Sequence, residues 1–135
     1  MAITRNEVQV TWDTGSNSKS IAASGSATSD AHAIDQTCFQ ALIELKADNN
    51  GTPAAGDTVD VEILIALGDP DGTGSDEYAT AEHALWLTQL DTNAEDPAIA
   101  VVEIPLPAKS VKIRATNNGS SNGATVSACI LEQRG

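Results

Sequence analysis

Carboxylates crowd one short stretch of this chain. Residues 68–78 read GDPDGTGSDEY and set Asp69, Asp71, Asp76 and Glu77 among glycines. Hard oxygen ligands at alternate positions are what a calcium ion favours. The spacing misses the EF-hand loop, because Gly72 directly follows the second Asp and no bidentate Glu closes the pattern. Asp-Gly and Asp-Pro steps are also good turn chemistry, and a solvated turn is the stronger reading. No metal ligand is assigned.

Other reactive residues are scattered. His32 and His83 lie far apart, and His83 has no carboxylate at a defined offset, so it reads as a surface residue. Cys38 and Cys129 are too few for a disulfide scaffold or a metal site and read as small, half-buried hydrophobes. There is no HExxH, no phosphate-cradling glycine loop and no CxxC pair. Paired carboxylates could serve a glycosidase, but such sites want aromatic sugar platforms, and the chain has Trp12, Phe39, Tyr78 and Trp86 alone. The expectation is a protein without catalytic residues and without a cofactor. Asn50-Gly51-Thr52 and Asn118-Gly119-Ser120 match glycosylation acceptors, and without a secretory signal they read as turns.

Composition bounds the partners. With 19 Asp+Glu against 7 Lys+Arg the formal net charge is -12, which repels phosphate and argues against nucleic acid. Self-repulsion keeps such a chain dispersed, and crowded carboxylates also suit salty surroundings, where screening makes them tolerable. No apolar run reaches the ~18 residues of a membrane span, and the polar first 20 residues do not read as a signal peptide.

The elements are strands. The 57–67 stretch, DTVDVEILIAL, puts Val59, Val61, Ile63, Ile65 and Leu67 on one face, with Asp60, Glu62, Leu64 and Ala66 on the other. That period of two is a half-buried strand, and a helix would scatter the β-branched residues around its circumference. Further strands are expected at 7–12 (Val8, Val10 and Trp12 inward), 38–47 (Phe39, Ala41, Ile43 and Leu45 inward) and 84–90. Others follow at 99–106 (Val102, Ile104 and Leu106 inward), 110–116 (Val111, Ile113 and Ala115) and 124–132 (Val126, Ala128 and Ile130). Pro105 and Pro107 place the 99–106 segment at an edge or a bend. Residues 13–35 are a low-complexity polar passage with a weak edge strand near 18–23, and residues 1–35 could act as a polar N-terminal arm. Segments 38–47 and 57–67 read as a hairpin, and the Asn-Gly steps of NNGSSNG as the turn of a closing hairpin. The fold class is all-β, an antiparallel two-sheet sandwich, jelly-roll-like, with about eight strands in one domain over residues 1–135.

The stretches AGDTVDVEILIAL, HALWLTQLDTN and IPLPAKSVKIRATNNGSSNGATVSA, within residues 55–132, resemble small β-sandwich structural proteins of tailed bacteriophage or archaeal virus particles. The resemblance implies a capsid decoration (cement) protein on the virion surface, made in the host cytoplasm. Its partners would be the major capsid protein and sister copies, as a homotrimer. A tail or baseplate component, or a carbohydrate- or calcium-binding sandwich module relying on Trp12 or Trp86, is the alternative. Candidate contact residues are the outward Leu64, Trp86 or Leu87, and Leu131, with the N-terminal arm.

Overall fold

The computed structural model describes residues 2–78 and 86–135, with Trp86 and Leu87 described by their backbone alone. Ten strands follow in order: β1 (Thr4–Gln9), β2 (Lys19–Ile21), β3 (Ser26–Thr28), β4 (His32–Ala33), β5 (Gln40–Asn49), β6 (Thr58–Ala66), β7 (Trp86–Asp91), β8 (Ala98–Ile104), β9 (Ser110–Asn117) and β10 (Ala124–Arg134). One sheet runs β1-β10-β5-β8 with β2 also on β10; the other runs β3-β9-β6-β7 with β4 also on β9. The two pack face to face as an all-β sandwich. Among the described residues no helix is long and apolar enough to cross a membrane.

The topology follows from the pairing. β1 lies along residues 129–134 of β10 and β2 along 124–126, so together they form a single row. β3 and β4 divide β9 in the same way. Counted as rows, the first pairs with the last, the second with the seventh, the third with the sixth and the fourth with the fifth, always antiparallel. That is one long hairpin rolled on itself, the jelly roll. The strand count exceeds the expected eight because two rows are each broken in two.

The core lies between the sheets. Val10, Trp12, Ile43, Leu45, Ile63, Ile104, Ile113 and Ile130 are all buried there, each arriving by the period-two phase read from the sequence. Tight alternation of β-branched side chains gives each sheet one dry face.

Several expectations are corrected. Segments 38–47 and 57–67 are not a hairpin: β5 pairs with β10 and β8, and β6 with β9 and β7, in the opposite sheet. The closing hairpin fails likewise, since β9 and β10 belong to different sheets and residues 118–123 cross between them. Both pairs do share a core, but across the sandwich. Phe39 is 55% exposed, because Cys38 N–H bonds back to Asp35 O and this turn, ahead of the first β5 residue, shifts the phase. Leu67 is 72% exposed, since β6 ends at Ala66. Leu106 is also partly exposed, beyond the end of β8. Residues 13–35 contain β3 and β4 as well as the expected edge strand. In the 84–90 segment β7 starts at Trp86; His83 and residues 84–85 lie outside the described residues.

Candidate functional site

Jelly-roll connections gather at the two ends of the sandwich. At one end, the crossings at 22–25, 50–57, 92–97 and 118–123 meet around Asp57, which is 6% exposed. Asp57 Oδ2 accepts the side-chain amides of Asn122 (2.9 Å) and Asn49 (3.1 Å) and the backbone N–H of Ala54 (3.0 Å). These donors, Asn122 foremost, hold the carboxyl below its ordinary value of 3.8, against the opposing effect of burial. Thr92 donates both its N–H and its hydroxyl to the Asp57 carbonyl. Asn117 completes the knot: its amide donates to Ile21 O and Asn122 O, and its Oδ1 accepts Gly119 N–H at 2.9 Å. The Asn-Gly steps therefore serve side-chain bonding across loops instead of a two-residue hairpin turn. This knot holds loops together and offers no reacting atom.

The acidic loop sits at the other end. Asp69, Asp71 and Glu77 converge, with one ligand atom from each within 4.8 Å of the others. Asp76 does not join them; its Oδ1 meets Lys109 Nζ at 2.7 Å and raises the lysine pKa. The convergent carboxylates are already engaged by their own turn. Asp69 accepts N–H groups from Gly74 (2.5 Å) and Thr73 (3.2 Å), and Asp71 accepts Thr73 N–H at 3.1 Å. The Gly74 bond chiefly lowers the Asp69 pKa. Calcium takes six to eight oxygens, and both of Asp69 and one of Asp71 are occupied here by the N–H groups of their own turn. The loop returns along the outer face of the second sheet, where Tyr78 Oη lies 2.5 Å from Ser110 Oγ and Lys112 Nζ lies 4.3 Å from the Tyr78 ring centre. Leu64 pairs across from Lys112 and is 7% exposed, and Ala66 is fully buried. The expectation that Leu64 offers a free contact is thus corrected: the chain covers that part of the face itself.

The outer face of the first sheet is open instead. Cross-strand register sets Leu131 beside Leu42 and Cys129 beside Glu44, with Glu44 opposite Val101 and Lys46 opposite Ile99. Arg5, Glu7, Leu42, Glu44, Val101, Cys129 and Leu131 line a shallow concavity of about 450 Å³. Ile99 and Val101 are 54% and 58% exposed. Leu131, named from the sequence, is half-buried here; Leu42, Ile99 and Val101 were missed. The signal was available in AIAVVEI, where neighbouring positions of an edge strand are apolar on both faces.

The remaining candidates are structural. Trp12 is fully buried and so gives no glycan platform; the Trp86 and Leu87 side chains lie outside the described residues. Residues 2–35 are bound into both sheets through β1–β4. His32 Nε2 accepts the Thr11 N–H at 2.9 Å, which ties the first loop to β4. Neighbouring Asp30 accepts the Thr11 hydroxyl and Thr14 N–H, bonds that lower its pKa. Cys38 and Cys129 are unbridged and half-buried, and burial pushes both thiols up.

No protein-family model matches the sequence, and comparison with curated proteins gives no match. Solved structures do share the fold. The Yersinia pseudotuberculosis-derived mitogen superposes with a TM-score of 0.51 at 8% identity, over 95% of this chain and 84% of that one. Tripeptidyl peptidase 2 gives 0.50 at 8% identity, over 95% of this chain and 10% of that one. A chain of the acidic stable capsid structure of Helicobacter pylori bacteriophage KHP30 gives 0.42 at 16% identity, over 96% and 92%. At such identities the likeness is one of fold, and the capsid overlap is too loose to carry an argument.

Proposed function

We propose that this chain is a non-enzymatic virion structural protein, a decoration (cement) protein that braces a viral capsid through protein contacts. Its partners in this reading are the major capsid protein and sister copies, as a homotrimer on the capsid surface. The observation that supports the reading best is a jelly roll whose first sheet leaves apolar side chains, Ile99 and Val101 above all, on its outer face and edge. Contiguous exposed apolar surface marks a protein contact more often than a catalytic cleft. The formal charge of -12 disfavours genome binding and leaves the outside of a shell as the compatible place. The resemblance of residues 55–132 to tailed-virus particle proteins points the same way.

Electron microscopy of the parent particle, with quantitative mass spectrometry of purified virions, tests this. The expected result is density for this jelly roll at many symmetric positions on the shell. Absence from virions, or a few copies confined to the tail, would sink the reading.

A further inference from the structure

The first sheet ends in an edge strand that is poorly guarded. Among the described residues β8 has one ladder, with β5, so along its other side the alternate N–H and C=O groups have no strand partner. Natural edges are usually blunted by lysine, proline, bulges or shortness. β8 runs for seven residues, Ala-Ile-Ala-Val-Val-Glu-Ile, with Glu103 its one charge; Pro97 and Pro105 stand just outside either end. The edges over β9 and β10 are handled differently, by the short strands β1–β4. A groove of about 450 Å³, lined by Thr88, Val101, Val102, Glu103 and Pro105, follows the β8 edge.

We propose that β8 takes an extended, basic segment of a partner protein as an added strand of the first sheet. Backbone groups would supply the affinity and alternate side chains the selectivity. The added strand would set one row of side chains over Thr88 and Val102, which asks for apolar residues. Its other row would flank Val101 and Glu103 beside Glu44, with Lys46 the one cation on β5, which asks for Lys or Arg. A second copy is a poor occupant of this edge, because its own β8 has Glu103 as its one charge and offers no basic row. This surface rests on the sheet edge alone, and its test needs no particle, so it can fail while the decoration reading stands.

The test is amide NMR of the ¹⁵N-labelled full chain with synthetic peptides. A capped Lys/Val alternating heptapeptide should perturb the amides of Ala98–Ile104 and bind at least tenfold more weakly in high salt. A Glu/Val peptide of equal length should not bind. Val101→Lys should weaken the Lys/Val peptide at least tenfold, while Ile3→Lys, exposed beside β1 at the opposite edge of the sheet, leaves it unchanged. Perturbations mapping elsewhere, no binding, or equal binding of the acidic peptide would overturn the proposal. So would concentration-dependent shifts of β8 amides without peptide, which would make the occupant a sister copy.

Discussion

Asp57 is the residue on which one end of the sandwich turns. It is buried, charged and bonded by amides alone, with no cation among its described hydrogen-bond partners. A carboxyl whose folded pKa is depressed adds stability that is present above its unfolded value and lost as pH falls through the folded one. For Asp57 that loss begins near 3.8 and continues below it, and Asp30, Asp35 and Asp69 act in the same direction. Thermal melts at about pH 6 and about pH 3 should therefore show a marked drop, and Asp57→Asn should narrow it. An undiminished drop in the variant would remove Asp57 from the account. Packing around the same carboxylate gives a second prediction. A Cβ on Gly119 would stand 2.9 Å from Asp57 Oδ1 and 3.1 Å from Asn117 Oδ1, both fixed by the knot. Gly119→Ala should cost about 1–3 kcal/mol in urea unfolding, as overpacking does.

Strands carry their burial in their own alternation, and here mutational cost should follow face. Ile63, 1% exposed between the sheets, should lose about 2–5 kcal/mol on truncation to Ala. Val101, outward on β8, should change by no more than about 0.5 kcal/mol. Equal costs in denaturant titrations would contradict the assignment of faces. The same alternation explains what was legible in the sequence. It says that Val59, Val61 and Ile63 meet a core, but both sheets meet that core, so it does not say which sheet holds them. Consecutive strands β5 and β6 look like hairpin partners for that reason. The Asn-Gly cue misleads similarly, because Asn118 and Asn122 spend their amides on Thr58 Oγ1 and on Asp57. Leu64 looks outward and open until the loop through Tyr78 is placed over Lys112, a long-range contact with no local signature. Of the contact surface, Leu131 could be named from its phase; Ile99 and Val101 were hidden inside a run apolar at neighbouring positions.

Charge acts on the molecule as a whole. Even if all 7 cations were paired with carboxylates, 12 of the 19 acids would remain unmatched. Of the five ion pairs among the described residues, Arg5–Glu7 is exposed on both partners, where a pair contributes about 0–1 kcal/mol at most, and Arg114–Glu62 is the most buried. A chain of this length has a radius of gyration of about 14 Å. The Debye length is about 30 Å at 0.01 M salt and about 3 Å at 1 M, so repulsion spans the entire fold in the first case and only near neighbours in the second. Screening weakens the few attractions and the many repulsions together, and the repulsions are in excess. The melting temperature should therefore rise steadily from about 10 mM to about 1 M NaCl, chloride being used because sulfate would strengthen apolar burial by itself. Replacing the exposed Asp48 and Glu95 by Lys should flatten that rise by lowering the excess. A melting temperature that falls with salt would mean that attractions dominate. An unchanged slope in the double variant would detach the salt effect from net charge.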